Sequence, residues 1–204
     1  MIGVALTALA LALLLVGEWR EERTLRWIAK PLASAGFLVA ALEFGALSSR
    51  YGRALLLALA LSFLGDVLLL GRKKAAFLSG LVAFLAAHLA FLGAFAVRGI
   101  APLSAALALI AMAVLGALVG RPLVARAEPA LRAAASAYLI VISLMVAAAF
   151  GTRAPLVIAG AIAFYFSDLS VARDRFVGRS FANRAWGLPL YYLAQLIFAF
   201  TLRS

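Results

Sequence analysis

The chain has 204 residues, of which 67% are hydrophobic, and carries a formal net charge of +11. Its mean hydropathy is +1.10, whereas soluble domains are about half apolar, so the composition predicts an integral membrane protein. The charge would favour nucleic acid as a partner in a soluble protein. Here the Lys and Arg residues lie in short connections between apolar runs, which indicates topology determinants and headgroup contacts with membrane lipids, and no nucleic acid. The absence of cysteine excludes disulfides and thiolate chemistry.

Eight apolar runs approach the length of about 20 residues that a membrane-spanning helix needs: 2–17, 27–44, 53–70, 75–97, 102–124, 129–150, 155–172 and 184–202. The fifth, sixth and seventh begin with a proline, which suits the first turn of a helix because its missing N–H has no partner there. Pro31 is likewise expected in the first turn of the second helix. The short connections favour antiparallel neighbours. We therefore predict an all-α membrane protein, with a single eight-helix transmembrane domain over residues 1–204.

The orientation follows from the basic residues. Most of the 19 Lys and Arg residues lie in or beside the first, third, fifth and seventh connections. Because positively charged loops stay in the cytoplasm, both termini are predicted on the non-cytoplasmic side. The expected location is the bacterial inner membrane, as a multi-pass protein of the cell membrane.

Two aspartates lie inside apolar runs. Asp66 lies in LSFLGDVLLL at 61–70 and Asp168 in AFYFSDLSVA at 163–172, and the two runs are followed by Arg72 and Arg173 respectively. An ionised side chain at the bilayer centre costs about 2.5–3.5 kcal/mol on insertion scales, so two such residues in matching contexts favour a shared functional site. Each aspartate is expected four residues from the cytoplasmic end of its helix. A parallel duplication of four helices and chance similarity both stay open as explanations of the match.

Further polar groups fall within the predicted helices: Lys30, Glu43, His88, Tyr138, Tyr191, Tyr192 and Gln195. All but Glu43, which is expected to snorkel at the outer end, lie in the half of the bundle that carries the basic loops. This placement predicts a polar pocket that opens to the cytoplasm or the inner leaflet. Structural roles remain open: Lys30 as an ion-pair partner or snorkelling residue, His88 as a core histidine, and the others as interhelical hydrogen-bond partners.

Five short motifs occur in order along the chain: KPL at 30–32, SFLGD at 62–66, AHL at 87–89, GAxxFxxSD at 160–168 and YYLAQ at 191–195. On these motifs the chain resembles the lysoplasmalogenase (YhhN-like) family of eight-helix membrane proteins, from the second helix to the eighth. The resemblance implies hydrolysis of the vinyl ether bond of lysoplasmalogens, a class of lysophospholipid, to a fatty aldehyde and a glycerophospho-alcohol. For bacteria that make no plasmalogens, another lipid substrate is the alternative.

The implied reaction protonates the vinyl β-carbon, and water captures the resulting oxocarbenium ion. A buried neutral carboxyl group and an ionised one divide such work in glycoside hydrolysis. Asp66 and Asp168 are expected to fill these two roles, in an order that the sequence leaves open, with His88 tuning or relaying the proton. The substrate-binding residues are expected to be Lys30, which binds phosphate as a point charge, with Tyr138, Ser167, Tyr191, Tyr192 and Gln195.

No metal and no cofactor are predicted, because one His and no Cys make a zinc site of the usual composition unavailable. Asp66, His88 and Asp168 together remain a minority alternative as a ligand set. Two other functions compete with a hydrolase: a proton-coupled transporter and a lipid-binding membrane protein. A carrier would hold its site near the midplane on broken helices, whereas the polar set here is skewed to one end and no helix is expected to break in its middle.

Overall fold

The computed structural model describes residues 1–71 and 73–203. Within this part of the chain it has no strand and eight helices long and apolar enough to cross a membrane. They are α1 (Ile2–Trp19), α2 (Arg23–Glu43), α3 (Arg50–Leu68), α4 (Lys74–Arg98), α5 (Pro102–Ala125), α6 (Pro129–Gly151), α7 (Pro155–Phe176) and α8 (Phe181–Arg203). The predicted all-α bundle of eight spans is confirmed. Arg72, noted after the first aspartate, lies outside the described residues.

Several helix ends differ from the prediction. α2 begins at Arg23 and α7 ends at Phe176, so each extends four residues beyond the predicted apolar run. Charged residues at a membrane interface keep their heads in water without breaking the helix, so hydropathy marks the apolar span and not the helix end. Because α2 begins earlier, Pro31 lies in the helix interior, and the prediction that it occupies the first turn is wrong.

The helices run without a break in the described residues, but some carry a glycine or proline feature in their interior. α5 contains a five-residue π-helical turn at Gly116–Gly120, and α8 carries Pro189 in its interior. A π-helical turn inserts one extra residue into a helix and often occurs at a functional site. These features leave the helices continuous, so the structure shows no broken helix of the kind that a carrier uses to hold its site.

The helices pack around one cluster of buried apolar side chains to which all eight contribute. The most extensive helix pairs are α1 with α2, α3 with α4, and α7 with α8, while α5 packs mainly on α6. Only 17% of the most apolar window of α5 is buried, against 44% for α4, α6, α7 and α8. α5 is therefore a peripheral helix, and the centre of the bundle lies between α2, α3, α4, α7 and α8.

Glu43 has a structural role at the end of the bundle away from the polar set. Its carboxylate accepts the backbone N–H groups of Ile2 at 2.9 Å and Gly3 at 3.3 Å. The first N–H groups of a helix lack intrahelical partners, so Glu43 caps α1 from the end of α2. The interpretation of Glu43 as a residue that only snorkels is wrong.

Candidate active site

A cavity of about 190 Å³ opens at the end of the bundle that carries the α1–α2, α3–α4 and α7–α8 connections. These are three of the four basic connections, so the prediction that the polar pocket lies at the basic end agrees with the structure. Five of the predicted site residues line this cavity: Lys30, Asp66, Ser167, Asp168 and Tyr191. The two aspartates therefore face one shared space, which is the arrangement that a paired-carboxylate site requires.

Asp66 is buried and receives three partners. Its Oδ2 accepts hydrogen bonds from the Ser34 hydroxyl at 2.7 Å and the Tyr191 hydroxyl at 2.6 Å, and its Oδ1 lies 3.2 Å from Lys30 Nζ. The residue is two positions from the end of α3, where the helix dipole disfavours a negative charge. A cation and two hydroxyl donors offset that disadvantage, and donors on both oxygens fit an ionised carboxylate, which only accepts hydrogen bonds.

Tyr192 holds the Asp66 partners in place through its one hydroxyl hydrogen. The Tyr192 hydroxyl lies 3.2 Å from Ser34 Oγ and 3.3 Å from the Lys30 carbonyl oxygen, so it reaches α2 at two points. Ser34 is one helical turn after Lys30, which places both side chains on the face of α2 that meets α3 and α8. Tyr192 thus has a positioning role behind Asp66, one hydrogen bond removed from the carboxylate.

Asp168 has a different set of partners. Its Oδ2 accepts a hydrogen bond from the Tyr138 hydroxyl at 2.7 Å and lies 3.4 Å from His88 Nε2. The Asp168 side chain is 15% exposed, against 3% for Asp66. It lies eight residues before the end of α7, whereas Asp66 lies two before the end of α3. The prediction that both aspartates lie four residues from a helix end is therefore wrong.

The contacts of the His88 ring show which of its nitrogens carries a hydrogen. Nδ1 lies 2.6 Å from the carbonyl oxygen of Phe84, and a carbonyl can only accept, so Nδ1 carries a hydrogen. In the neutral ring Nε2 is then a bare acceptor that faces the acceptor oxygen of Asp168. This contact is favourable only if one proton lies between Nε2 and Asp168, on either partner. Nε2 makes no hydrogen bond among the described residues, so this buried acceptor lies 3.4 Å from Asp168 Oδ2, close enough for a proton to pass between them.

An aromatic wall connects the two carboxylate environments. The Phe164 ring lies 4.6 Å from the His88 ring and 5.5 Å from the Tyr191 ring, measured between centroids, and Phe84 contacts both Phe164 and Tyr191. Gly65, next to Asp66, makes room for this wall, because a Cβ there would lie 2.6 Å from the Phe84 ring. Because these aromatic rings are apolar, the polar connection between the two aspartates runs through the cavity.

Gln195 does not join the hydrogen-bonded set. Its side-chain amide is fully buried, and neither amide atom has a hydrogen-bond partner among the residues the structure describes. Nor do any three His, Asp or Glu side chains in residues 1–71 and 73–203 come close enough together to hold a metal ion. The alternative ligand set of Asp66, His88 and Asp168 is thus not assembled.

Arginines surround the cavity mouth. Arg26 and Arg184 pair with Glu18, and Arg184 also pairs with Asp174 at 2.9 Å. These pairs join α1, α2, α7 and α8. Three other arginines line the cavity and have no carboxylate within ion-pair distance in the part of the chain described: Arg23, Arg175 and Arg179. The mouth therefore carries positive charge without an ion-pair partner, whereas the sequence assigned the basic residues in general to topology and to contacts with lipid headgroups.

A second cavity, of about 90 Å³, adjoins the first between α4, α5, α6 and α7. Its lining is apolar except for Asp168 and the hydroxyls of Tyr138 and Tyr165. Four residues line both cavities: Leu69, Phe77, Asp168 and Val171. Among the residues described, Asp168 is the only charged one that lines both, so it lies between a polar, cation-rimmed space and an apolar one.

Sequence reasoning missed Ser34 and the three unpaired arginines. Ser34 carried a readable signal, since it follows Lys30 by one turn on the same helix face. The arginines carried none, because a basic residue in a loop looks the same whether it binds a headgroup or fixes topology.

The fold and site define a multi-pass membrane protein with a carboxylate-lined cavity at its basic end. The chain matches the YhhN family over residues 25–202, and it belongs to that family. Comparison with curated proteins and with solved structures found no match. The family match covers the region that contains every predicted site residue, and the resemblance inferred from the five motifs is confirmed.

Proposed function

We propose that this protein is a membrane-embedded hydrolase that cleaves the vinyl ether bond of lysoplasmalogen-type lysophospholipids. The products are a fatty aldehyde and a glycerophospho-alcohol, and the reaction requires no cofactor. The observation that carries the proposal is that Asp66 and Asp168 line one cavity with contrasting partners. Asp66 contacts a cation and two hydroxyl donors, whereas Asp168 accepts one hydroxyl and lies 3.4 Å from His88 Nε2. Acid and charge-stabilising roles are divided in this way in other paired-carboxylate enzymes.

In the proposed reaction Asp168 transfers its proton to the vinyl carbon farther from the ether oxygen. The electrons of the double bond form the new C–H bond, and the carbon next to oxygen becomes an oxocarbenium ion. The negative charge of Asp66 stabilises this cation. Water then adds to the cationic carbon, and the Asp168 carboxylate takes the proton that water releases. The resulting hemiacetal collapses as its hydroxyl proton passes to the glycerol oxygen, which leaves aldehyde and alcohol.

His88 keeps the Asp168 proton available between turnovers, and Tyr138 fixes the carboxyl orientation through its 2.7 Å hydrogen bond. Lys30, which the sequence suggested as the phosphate ligand, lies against Asp66 and is assigned to holding that carboxylate. Ser167 lines the cavity between the two aspartates and is assigned to orienting the glycerol portion of the substrate.

The phosphate of the substrate is assigned to the unpaired arginines at the cavity mouth. Arg175 stacks on the Phe77 ring at 4.5 Å and Arg23 on the Trp27 ring at 5.6 Å, and these contacts orient the guanidinium groups without neutralising them. A guanidinium offers paired N–H donors that match phosphate oxygens. Because both carboxylates at the mouth already pair with arginine, the site favours the phosphate over the amine of the headgroup.

The test is aldehyde release from lysoplasmenylethanolamine by purified protein in detergent. Asp66→Asn and Asp168→Asn are each expected to abolish turnover. Glu22→Gln is the matched control, because Glu22 is an exposed carboxylate at the same end of the bundle that does not line the cavity. Retained activity in either aspartate variant would contradict the mechanism. If folded wild-type protein shows no turnover, the hydrolase is rejected, and lipid binding and proton-coupled transport are the functions to test next.

The headgroup assignment has its own control. Arg175→Gln with Arg179→Gln is expected to raise KM for the phospholipid and to leave KM for an alkenylglycerol without phosphate unchanged. Arg126→Gln, which removes an exposed arginine at the same end but outside the cavity, is expected to change neither KM. An equal effect of the double variant on both substrates would reject phosphate recognition by these arginines.

A further inference from the structure

The second cavity meets the first at Asp168. This junction between a polar and an apolar space matches the position of the reactive carbons in a single-chain ether lipid. In such a lipid the vinyl ether carbons lie between the polar glycerophosphate and the hydrocarbon chain. A proton donor that acts on those carbons must therefore have a polar space on one side and an apolar space on the other. Asp168 has this position, with the arginine-rimmed cavity to one side and the apolar cavity to the other.

We propose that the second cavity binds the substrate's unbranched hydrocarbon chain beyond the vinyl carbons, and that the contact of Gly120 with Leu139 sets how far the chain extends into the cavity. This inference rests on the proposed function and adds to it a determinant of chain selectivity. Gly120 ends the π-helical turn of α5, Leu139 lies on α6, and both line the cavity. We assign an alkyl chain to this cavity because the cavity continues from the polar site through Asp168.

Gly120 gives Leu139 its position. A Cβ at residue 120 would lie 2.6 Å from one terminal methyl of Leu139 and 2.8 Å from the other. Such distances are too short for carbon atoms in contact, so the Leu139 side chain would have to turn away from α5. Since Leu139 lines the cavity, its displacement narrows the space available to a chain.

Gly116 offers a matched control within the same π-helical turn. A Cβ there would lie 4.0 Å from the same Leu139 methyl, which is an ordinary van der Waals contact. Both glycines are buried, and both substitutions add one methyl group to α5. Gly116→Ala and Gly120→Ala therefore change local helix preference alike and differ in their effect on Leu139.

The experiment measures binding and turnover separately. Binding uses saturated 1-O-alkyl lysophospholipids with chains of 4 and 16 carbons, which have no vinyl bond. It follows the fluorescence of Trp27, which lines the polar cavity, in a Trp19→Phe/Trp186→Phe background that removes the other two tryptophans. Turnover uses the matching alkenyl lipids. Each variant is compared with wild type at the same chain length, which cancels the partitioning of the lipids into detergent.

We expect Gly120→Ala to weaken binding of the 16-carbon lipid about tenfold, the effect of roughly one methylene of lost room in an apolar pocket. The 4-carbon lipid and the Gly116→Ala variant are expected to stay near wild type. Leu139→Ala, added to Gly120→Ala, removes the clash and restores binding. In the otherwise wild-type chain, Leu139→Phe narrows the cavity and reproduces the loss, which keeps the test decisive if Gly120→Ala does not fold.

Equal losses at both chain lengths, equal effects of the two glycine variants, or unchanged binding in Leu139→Phe would overturn the inference. Chain-dependent binding without turnover of the alkenyl lipids would retain the chain cavity and reject the hydrolase. Turnover with an unaltered chain-length profile in every variant would retain the hydrolase and reject the chain cavity.

Discussion

The ion pair between Lys30 and Asp66 allows a quantitative prediction. Lys30→Met keeps the length of the side chain and removes its charge, which leaves Asp66 with only its two hydroxyl donors. Removing one partner of a buried ion pair costs about 3–5 kcal/mol. Because the Lys30 side chain is 14% exposed to the cavity, we expect the low end, a loss of about 3 kcal/mol in the free energy of unfolding.

The assay is equilibrium unfolding in mixed detergent and SDS micelles, with a double-mutant cycle. Lys30→Met/Asp66→Asn removes both charges, so it is expected to be more stable than Lys30→Met alone. Lys74→Met is the control within the same chain, because Lys74 and Glu128 form a pair at 2.9 Å whose side chains are 50% and 62% exposed. Exposed pairs contribute little to stability, and this variant is expected to unfold like wild type.

Two results would refute the reasoning about Asp66. One is a Lys30→Met variant that loses no more stability than Lys74→Met, which would mean that water and the two hydroxyls already satisfy Asp66. The other is a double variant whose loss equals the sum of the two single losses, because independent residues show no coupling energy.

Three further predictions follow from named contacts. Tyr138→Phe removes the hydroxyl that donates to Asp168 and should lower stability by about 1.5–3 kcal/mol, whereas Tyr165→Phe removes a buried hydroxyl without a partner in the described residues and should be neutral or stabilising in the same melts. Gly65→Ala places a Cβ 2.6 Å from the Phe84 ring and should cost about 1–3 kcal/mol by overpacking; an unchanged melting temperature would contradict this packing. Gly187→Ala collides with the Ser170 side chain and should separate α7 from α8, and adding Ser170→Gly should restore part of the lost melting temperature.

The sequence predicted the spans because long apolar runs have few alternatives, but it misplaced their ends. α8 begins at Phe181 and not at residue 184, since Ser180 caps it by accepting the N–H of Asn183 at 3.2 Å. Ser49 caps α3 in the same way through Gly52. Both serines were visible as capping signals. The π-helical turn of α5 was not, because glycines in an apolar helix more often serve close packing.

The site was predictable as a set of residues and not as a set of contacts. Asp66 and Asp168 stood out because ionisable groups in apolar runs are costly. Their partners depend on how the helices are rotated against one another, which no periodicity in these uniformly apolar runs records. Lys30 was therefore assigned to phosphate, although it contacts Asp66, and Gln195 was assigned to substrate, although it forms no hydrogen bond in the described part of the chain.

The roles of the two aspartates and the orientation in the membrane stay predictions. The basic connections that surround the cavity mouth place the site at the cytoplasmic face if positive loops remain inside. Accessibility of Arg175 and Arg179 to a membrane-impermeant reagent in oriented vesicles measures this orientation directly.

Turnover in D2O, with mass spectrometry of the trapped aldehyde, tests the central claim most directly. If a group in exchange with solvent protonates the vinyl carbon, the wild-type protein should release aldehyde with one deuterium on the carbon next to the carbonyl group. The Asp168→Asn variant should release no aldehyde. Aldehyde without deuterium at that carbon, or aldehyde released at the wild-type rate by Asp168→Asn, would contradict proton transfer from Asp168.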